Sequence, residues 1–446
     1  MSKHSRRQRR NPAPALGPAV IVRGTDRPVT AYGGSPLLRQ WLQVLHLPER
    51  LGQVHVNWQG RKFRGVDYLY GLLCGLLLGC DRQSALADLS HELGALLGFG
   101  LTAMPSQPAI SRFLAKGAGG VAPQILQLSR DLGKRMRQAQ RTAILDLDGS
   151  VIATRGAPEG AEWGYNPGRR GKTYFACLCF CGHTREILDA VLCSGKEATI
   201  SAHRAVQMYR QGRRALGGLR LKRLFLRADA GFARSDFVRR LQCEHVMYFI
   251  AWPTHGRTRT TVLGLHYQAL DERYAVAEFT YRVRRGHLQR MVVIREKLEP
   301  EERNKQQLRL LEAPGYAYQV LATNAPESWS GAAVWRFYNH RSCLENIIKE
   351  SKQDFGADHV LSSCWEGNRL WLALSVLAYN LWNWFREKIL HQRAHRRRTQ
   401  WLRRMLIEIP AYVTHGGRKS FLNIWRGSPG WELYQTAQAR LATFTL

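Results

Sequence analysis

The sequence predicts an α/β protein in which a mixed sheet with flanking helices follows a helical N-terminal region and is interrupted late by a strand-rich block. Three observations carry that prediction. From Ser35 to about Arg141 apolar residues recur every three or four positions, the period of amphipathic helices. Between Thr142 and Trp252 apolar runs of strand length alternate with helical stretches. From Pro253 to about Asn324 strand patterning returns, and no helix is expected before Trp329.

Taken in order, residues 1–35 are rich in Arg, Pro and Gly and read as a basic flexible tail. Residues 36–141 read as a helical DNA-binding domain. Within it, Pro105-Ser106-Gln107 leads into Ala109 to Leu114. That pattern fits a helix-turn-helix reader, with Ile110 and Phe113 packed inward, and fits equally an ordinary capped helix of a bundle. Residues 142–252 give strands at Thr142 to Thr154, Thr173 to Cys181 and Glu186 to Cys193, then a helix near Ser201 to Ala215. A strand at Leu224 to Leu226, a helix at Ser235 to Cys243 and a strand at His245 to Trp252 come next. The result is a mixed sheet with an antiparallel start. Residues 253–325 form the strand-rich insertion, with candidates at Tyr274 to Phe279, Thr280 to Val283, Arg290 to Arg295 and Tyr316 to Ala322. Residues 326–390 resume the core with a long helix from near Ser330, and 391–446 form a basic C-terminal region. There Arg396, Arg397, Arg398, Arg403 and Arg404 crowd together, as phosphate contacts or as a solvated helix face.

With 446 residues, 45% of them hydrophobic, the chain buries a large core divided into two or three domains. Lys and Arg number 66 against 34 Asp and Glu, a formal charge of +32. Such an excess points to a polyanionic partner, because cations near phosphates release condensed counterions. The nine cysteines lack CxxC pairs. Cys177, Cys179 and Cys181 share one strand face and read as small buried side chains. The apolar stretches Tyr68 to Gly79 and Leu370 to Phe385, the second carrying Asn380 and Asn383, read as buried helices. The basic start, Lys3 to Arg10, is no secretory signal. A soluble, cytoplasmic protein is expected.

Three features carry chemistry. In Ile144-Leu145-Asp146-Leu147-Asp148-Gly149-Ser150, strand alternation sends both aspartates to one face. Buried carboxylates need a cation, a ligand or a structural ion pair. Leu224 to Asp229 is a buried strand ending in a carboxylate, where ligands of open sheets gather. On the helix from Ser330, Tyr338, Arg341, Glu345 and Lys352 fall within about 60° of the circumference at roughly 100° per residue. That stripe is either a solvated face or a carboxylate offered to a metal between cations that hold phosphates. Two strands and a helix bearing carboxylates suit two hard divalent ions in phosphoryl transfer.

Those residues resemble a bacterial insertion-sequence transposase of the DDE class, and more narrowly the thirteen-eighty insertion-sequence family, transposase DDE domain group 1. Tyr338, Arg341, Glu345 and Lys352 match the Tyr-Arg-Glu-Lys signature. Asp148-Gly149-Ser150 matches the first acidic element, Arg227 to Phe232 resembles the second, and Gly164-Tyr165-Asn166 with Arg169 to Lys172 resembles a Gly-Tyr-Asn turn. The resemblance implies a ribonuclease-H-like sheet and favours Asp148 over Asp146. It implies Asp148, Asp229 and Glu345 as ligands of two Mg²⁺ or Mn²⁺ ions. By the same resemblance Tyr338, Arg341 and Lys352, with Arg169, Arg170 and Lys172 of the turn, would contact DNA; Arg396, Arg397 and Arg398 are added from their charge alone. It further implies cut-and-paste transposition on double-stranded DNA by a homodimer in a nucleoid-bound complex. Residues 253–324 contain no Trp, although Trp252 and Trp329 flank them; either of these, or Tyr281, could stack on a flipped base. A non-cutting DNA-binding protein and a metal-dependent nuclease are the alternatives.

Overall fold

A computed structural model describes residues 22–137, 141–164, 171–198, 200–217, 221–254, 256–282, 288–299, 315–417 and 419–445. After a two-residue strand β1 (Val29–Thr30) come helices α1 (Ser35–Val44), α2 (Leu47–Gly52), α3 (Gly65–Leu78), α4 (Gln83–Asp88), α5 (Leu93–Phe99), α6 (Gln107–Lys116) and α7 (Val121–Met136). Helix α3 is apolar on nearly every side, and it is accordingly central. Its start is fixed by Asp67, which accepts the Arg64 backbone N–H at 2.7 Å. Its end is fixed by Gly79, whose φ of 93° suits a residue without Cβ. In α6, Ile110, Phe113 and Leu114 are buried as the apolar spacing requires.

The main sheet is built from β2 (Thr142–Ala153), β3 (Glu162–Trp163), β4 (Lys172–Cys181), β5 (Ile187–Ser194), β6 (Arg223–Ala228), β7 (Met247–Ala251), β8 (Gln268–Ala269), β9 (Tyr274–Arg282), β10 (Leu288–Lys297) and β11 (Tyr316–Thr323). Its order is β3-β4-β2-β6-β7-β11-β10-β9-β8, with β5 also paired to β4. Strands β2, β4 and β5 meander antiparallel, whereas β6 lies parallel to β2 and β7 parallel to β6. The crossovers run through α8 (Ala202–Ala215) and α9 (Ser235–Cys243). These helices cover one face of the sheet, where Leu145, Leu147, Cys177, Cys179, Leu226 and Ala228 form a core.

The strand-rich stretch differs from expectation in three ways. It contains a helix, α10 (Arg257–Leu263). Tyr274 to Arg282 is one strand rather than two. Most consequentially, β11 pairs antiparallel with β7, so the block extends the main sheet itself.

The long helix expected from Ser330 is broken. Helix α12 (Gly331–Asn339) passes through a 3₁₀ turn, His340–Ser342, into α13 (Cys343–Phe355). Each 3₁₀ residue advances roughly 120° instead of roughly 100°, so the turn rotates α13 by about 60° relative to α12. The straight stripe drawn from Tyr338 to Lys352 is therefore divided between two helices.

Helix α14 (Trp365–Lys388) is buried along most of its length. Its asparagines are clips to the sheet: Asn380 accepts from Ile187 N at 2.9 Å and donates to Ile187 O at 2.8 Å, closing the edge of β5 as another strand would. Asn383 likewise donates to Thr184 O at 2.8 Å. No helix among the described residues is long and apolar enough to cross a membrane.

The C-terminal residues fold as well. Helices α15 (Gln392–His395) and α16 (Thr399–Leu406), strands β12 (Ala411–Gly416) and β13 (Lys419–Ile424), and helix α17 (Trp431–Thr443) are the last described elements. A second, three-stranded sheet has the order β1-β12-β13, so Val29 and Thr30, read from sequence as part of a flexible tail, are paired with Tyr412 and Ala411. Apolar side chains of α1 to α7, α14, α16 and α17 share one core.

Candidate active site

The site arises from the register of β2 and β6. Asp146 pairs with Arg227 and Leu147 with Ala228 across the parallel ladder. Strand alternation then puts Asp146, Arg227, Asp148 and Asp229 on the face away from α8 and α9, side by side where β6 ends.

The two aspartates of β2 have different fates. Asp146 is fully buried and takes both its bonds from Arg227, at 2.6 and 2.7 Å. Arg227 also donates to Phe337 O of α12 at 3.0 Å. Asp146, the rival first ligand, is thus committed to an internal bidentate pair. Asp148 lies two residues on, beside Gly149, where a Cβ would stand 2.1 Å from the Phe175 ring. Glycine is the residue that lets β2 pass under Phe175 at that point. Asp148 accepts from Gly149 N at 2.8 Å and pairs with Arg341 at 2.8 Å, with the carboxylate 13% exposed. Burial pushes its carboxyl up from the ordinary range; Arg341 opposes the rise, and repulsion from Asp146 and Glu345 adds to it.

Asp229 caps the short turn after β6, accepting from Gly231 N at 3.0 Å. Its carboxyl is pushed up to about 6, first by burial and then by repulsion from Asp148, with Arg341 opposing. Two buried carboxylates thus destabilise one another's charge, and a cation between them relieves both.

Arg341 supplies one such cation from the 3₁₀ turn. Its guanidinium is held charged by Asp148, Tyr338 and Asp229 against the cost of burial, and its Nε has no hydrogen-bond partner among the described residues. Tyr338 is buried, with Arg341 near its ring, 6.0 Å from the centroid. Burial raises its phenol, and the two aspartates add to the rise. Lys352 donates to Val151 O at 3.1 Å, on the length of β2 that extends past β6, and burial lowers its ammonium.

Glu345 differs in its exposure. It is exposed, in the first turn of α13, and among the described residues no group of three or more His, Cys, Asp or Glu side chains could hold a metal ion. Of the three carboxylates expected to converge, Asp148 bears on Asp229 within the buried site, and Glu345 bears on Asp148 from an exposed position on α13. Arg341, on the 3₁₀ turn, takes the position against Asp148. The pair that does converge fits a hard divalent cation, being buried, oxygen-only and mutually repelling.

Of the cations expected to touch DNA, Arg169 and Arg170 lie outside the described residues, as do Tyr165 and Asn166. Lys172 opens β4 and is half-buried. Arg396, Arg397 and Arg398 are exposed; Arg397 lies over the Trp401 ring and Arg398 donates to Gln353 at 2.8 Å. Arg403 is a correction. It is buried, donating to Leu77 O at 2.9 Å, Leu76 O at 2.8 Å and Asp354 O at 2.6 Å, because the exposed carbonyls at the end of α3 need a donor.

Two structural residues escaped sequence reasoning. Arg227, although inside the second acidic element, gave no sign of its partner. Glu350 accepts from Arg386 at 3.2 Å and from Thr399 N at 2.9 Å, fixing α13 against α14 and α16; its place on the inner side of α13 was the available signal.

The family described as transposase DDE domain group 1 matches residues 13–446. Among solved structures, the chain is similar to the piggyBac transposase in a synaptic complex with hairpin DNA. The identity is 11%, covering 85% of this chain and 82% of that one, with a TM-score of 0.47. No curated protein sequence matches it.

Proposed function

The chain belongs to the transposase DDE domain group 1 family, and from that premise we propose that it carries out cut-and-paste transposition, cleaving DNA at transposon ends and joining the freed ends to target DNA. The observation that carries this reading is the juxtaposition of Asp148 and Asp229 at the end of β6, on the face of the sheet that α12 and the 3₁₀ turn overlie. The antiparallel meander of β5, β4 and β2 followed by parallel β6 and β7 supports a ribonuclease-H-like core.

Asp148 and Asp229 would hold a divalent ion, Mg²⁺ or Mn²⁺. Glu345, whose charge already bears on Asp148, would be the third oxygen donor and serve a second ion. Such ions supply activation of the attacking oxygen and neutralisation of charge at phosphorus. The chain's own residues do the rest. Lys352 and Arg341 both lie against β2 and would pair with backbone phosphate, Arg341 by its planar fork. Tyr338 packs beneath Arg341 and fixes its reach. Asp146 and Arg227 brace β2 and β6 in register, so that Asp148 and Asp229 stay adjacent. The double-stranded partner, the synaptic homodimer and the nucleoid location belong to the same proposal, with the +32 charge as their support.

The test incubates purified protein with Mg²⁺ and the DNA flanking its own gene, mapping breaks at nucleotide resolution. Asp148→Ala, Asp229→Ala and Glu345→Ala should each abolish cleavage and strand transfer while end binding persists. Normal cleavage by Glu345→Ala would remove that residue from the ligand set. Cleavage without joining of labelled ends to a target plasmid would make the protein a nuclease, and binding without cleavage by the unaltered chain would refute the catalytic reading.

A further inference from the structure

The three-stranded sheet formed by β1, β12 and β13 takes no part in the proposed cleavage. Its pleat divides it cleanly. Ala411, Val413 and Thr30 are buried toward the helical core. Register places Tyr412 opposite Val29 and Asn423, and Thr414 opposite Phe421, so these side chains share the outer face. That face carries open aromatic rings among polar side chains: Tyr412 is 40%, Phe421 49% and Trp425 63% exposed. Of the four exposed large aromatic side chains among the described residues, only Trp163 lies elsewhere, so the rings are concentrated rather than scattered. A cavity of about 860 Å³ opens at the sheet, bordered by Tyr412, Trp425 and Arg426 and by the inward side chains Ala411, Ile424 and Tyr434.

The charge of this surface selects the occupant. Residues 22–30 and the described part of 410–430 carry Arg23, Arg27, Lys419 and Arg426 against one carboxylate, Asp26. Arg27 lies over the Tyr412 ring at 5.9 Å from the centroid, and Lys419 shares the face of β13 with Phe421. Open aromatic rings bordered by cations match a polyanion with flat apolar faces, and in duplex DNA those faces are hidden by stacking. Unpaired nucleotides present both. We propose that the outer face of the β1-β12-β13 sheet binds single-stranded DNA, stacking bases on Tyr412, Phe421 and Trp425 while Arg27, Lys419 and Arg426 hold the phosphates.

The inference rests on the reading of the protein as a transposase only in that strand cleavage exposes unpaired DNA; the binding itself needs no cleavage. The test measures fluorescence anisotropy of labelled dT20 and of a duplex of the same length with the full chain. Phe421→Ala and Trp425→Ala should each weaken dT20 binding by about tenfold, and Phe421→Tyr and Trp425→Phe should restore most of it. Duplex affinity should change far less, and thermal melting should be unaltered because the rings are exposed. Equal loss on single strand and duplex would make the surface a general phosphate contact and overturn the stacking assignment. Unchanged dT20 binding, with a shift in oligomeric state by light scattering, would make it a protein interface instead. Failure of the unaltered protein to cut transposon ends would strike the transposase reading and leave the dT20 result standing.

Discussion

Asp146 and Asp148 leave β2 on the same side, two positions apart, and experience opposite surroundings. Asp146 is the only carboxylate partner of the buried Arg227 among the described residues, so Asp146→Ala leaves an uncompensated charge in the core. It should lower stability by about 3–5 kcal/mol, read as a fall in the urea midpoint. The paired change Asp146→Leu with Arg227→Met should recover most of that loss. Asp148→Asn should lower the midpoint less than Asp146→Ala does, since burial already disfavours its charge and Arg341 keeps Asp229 beside it, while abolishing cleavage. Strand alternation identified both aspartates as special and could not separate them, because the residue that does so sits on another strand whose register emerges only on folding. Arg403 shows the same limit. Nothing in a run of arginines reveals that one of them ends the carbonyl row of α3 and the others remain in solvent.

At the level of elements, the helices and strands of residues 142–252 were legible to within a few residues, because each is short, periodic and bounded by turn residues. The break at His340–Ser342 was not. A 3₁₀ turn changes the helical phase without any proline or glycine to mark it, and the stripe from Tyr338 to Lys352 looks continuous in projection. The extension of the main sheet by β11 was equally hidden, since strand patterning does not name the neighbour. Contacts between elements set a pH dependence. Helix α7 reaches β5 through Arg130 and the buried Asp189, 2.9 Å apart. Burial raises the Asp189 carboxyl to about 6, and Arg130 only partly opposes it. The folded state therefore holds this proton more tightly than the unfolded chain does. The stability it contributes is complete below pH 4 and declines as pH rises through 6, by on the order of 3 kcal/mol. Asp189→Asn should remove that part of the slope in urea midpoints compared at pH 4.5 and pH 7.5. Identical slopes in the two proteins would refute it.

For the molecule as a whole, charge is the dominant property. Replacing Arg396, Arg397 and Arg398 with Gln should reduce the dependence of end binding on log salt by roughly one unit for each phosphate left unpaired, with little change in melting. Arg403→Ala should do the reverse, lowering the melting point and leaving the salt slope as it was. An unchanged slope in the triple variant would return those side chains to the status of a solvated face. Composition disclosed this electrostatic character directly, and the acidic motifs singled out Asp148 and Asp229, whose charges bear on one another in the fold. Segmental organisation was harder to see, because the core unites helices from both ends of the chain around α14, and periodicity reports only what is near in sequence.

The pairing of Val29 and Thr30 with Tyr412 and Ala411 joins the earliest described strand to one made very much later. On the ribosome, β1 must wait with its edge unsatisfied until Tyr412 has emerged from the exit tunnel. A polypeptide released before that moment would lack β12 and β13, and with them the cover over part of the N-terminal helices. Such truncated products cannot close this fold, and proteases should clear them before they reach a chromosome.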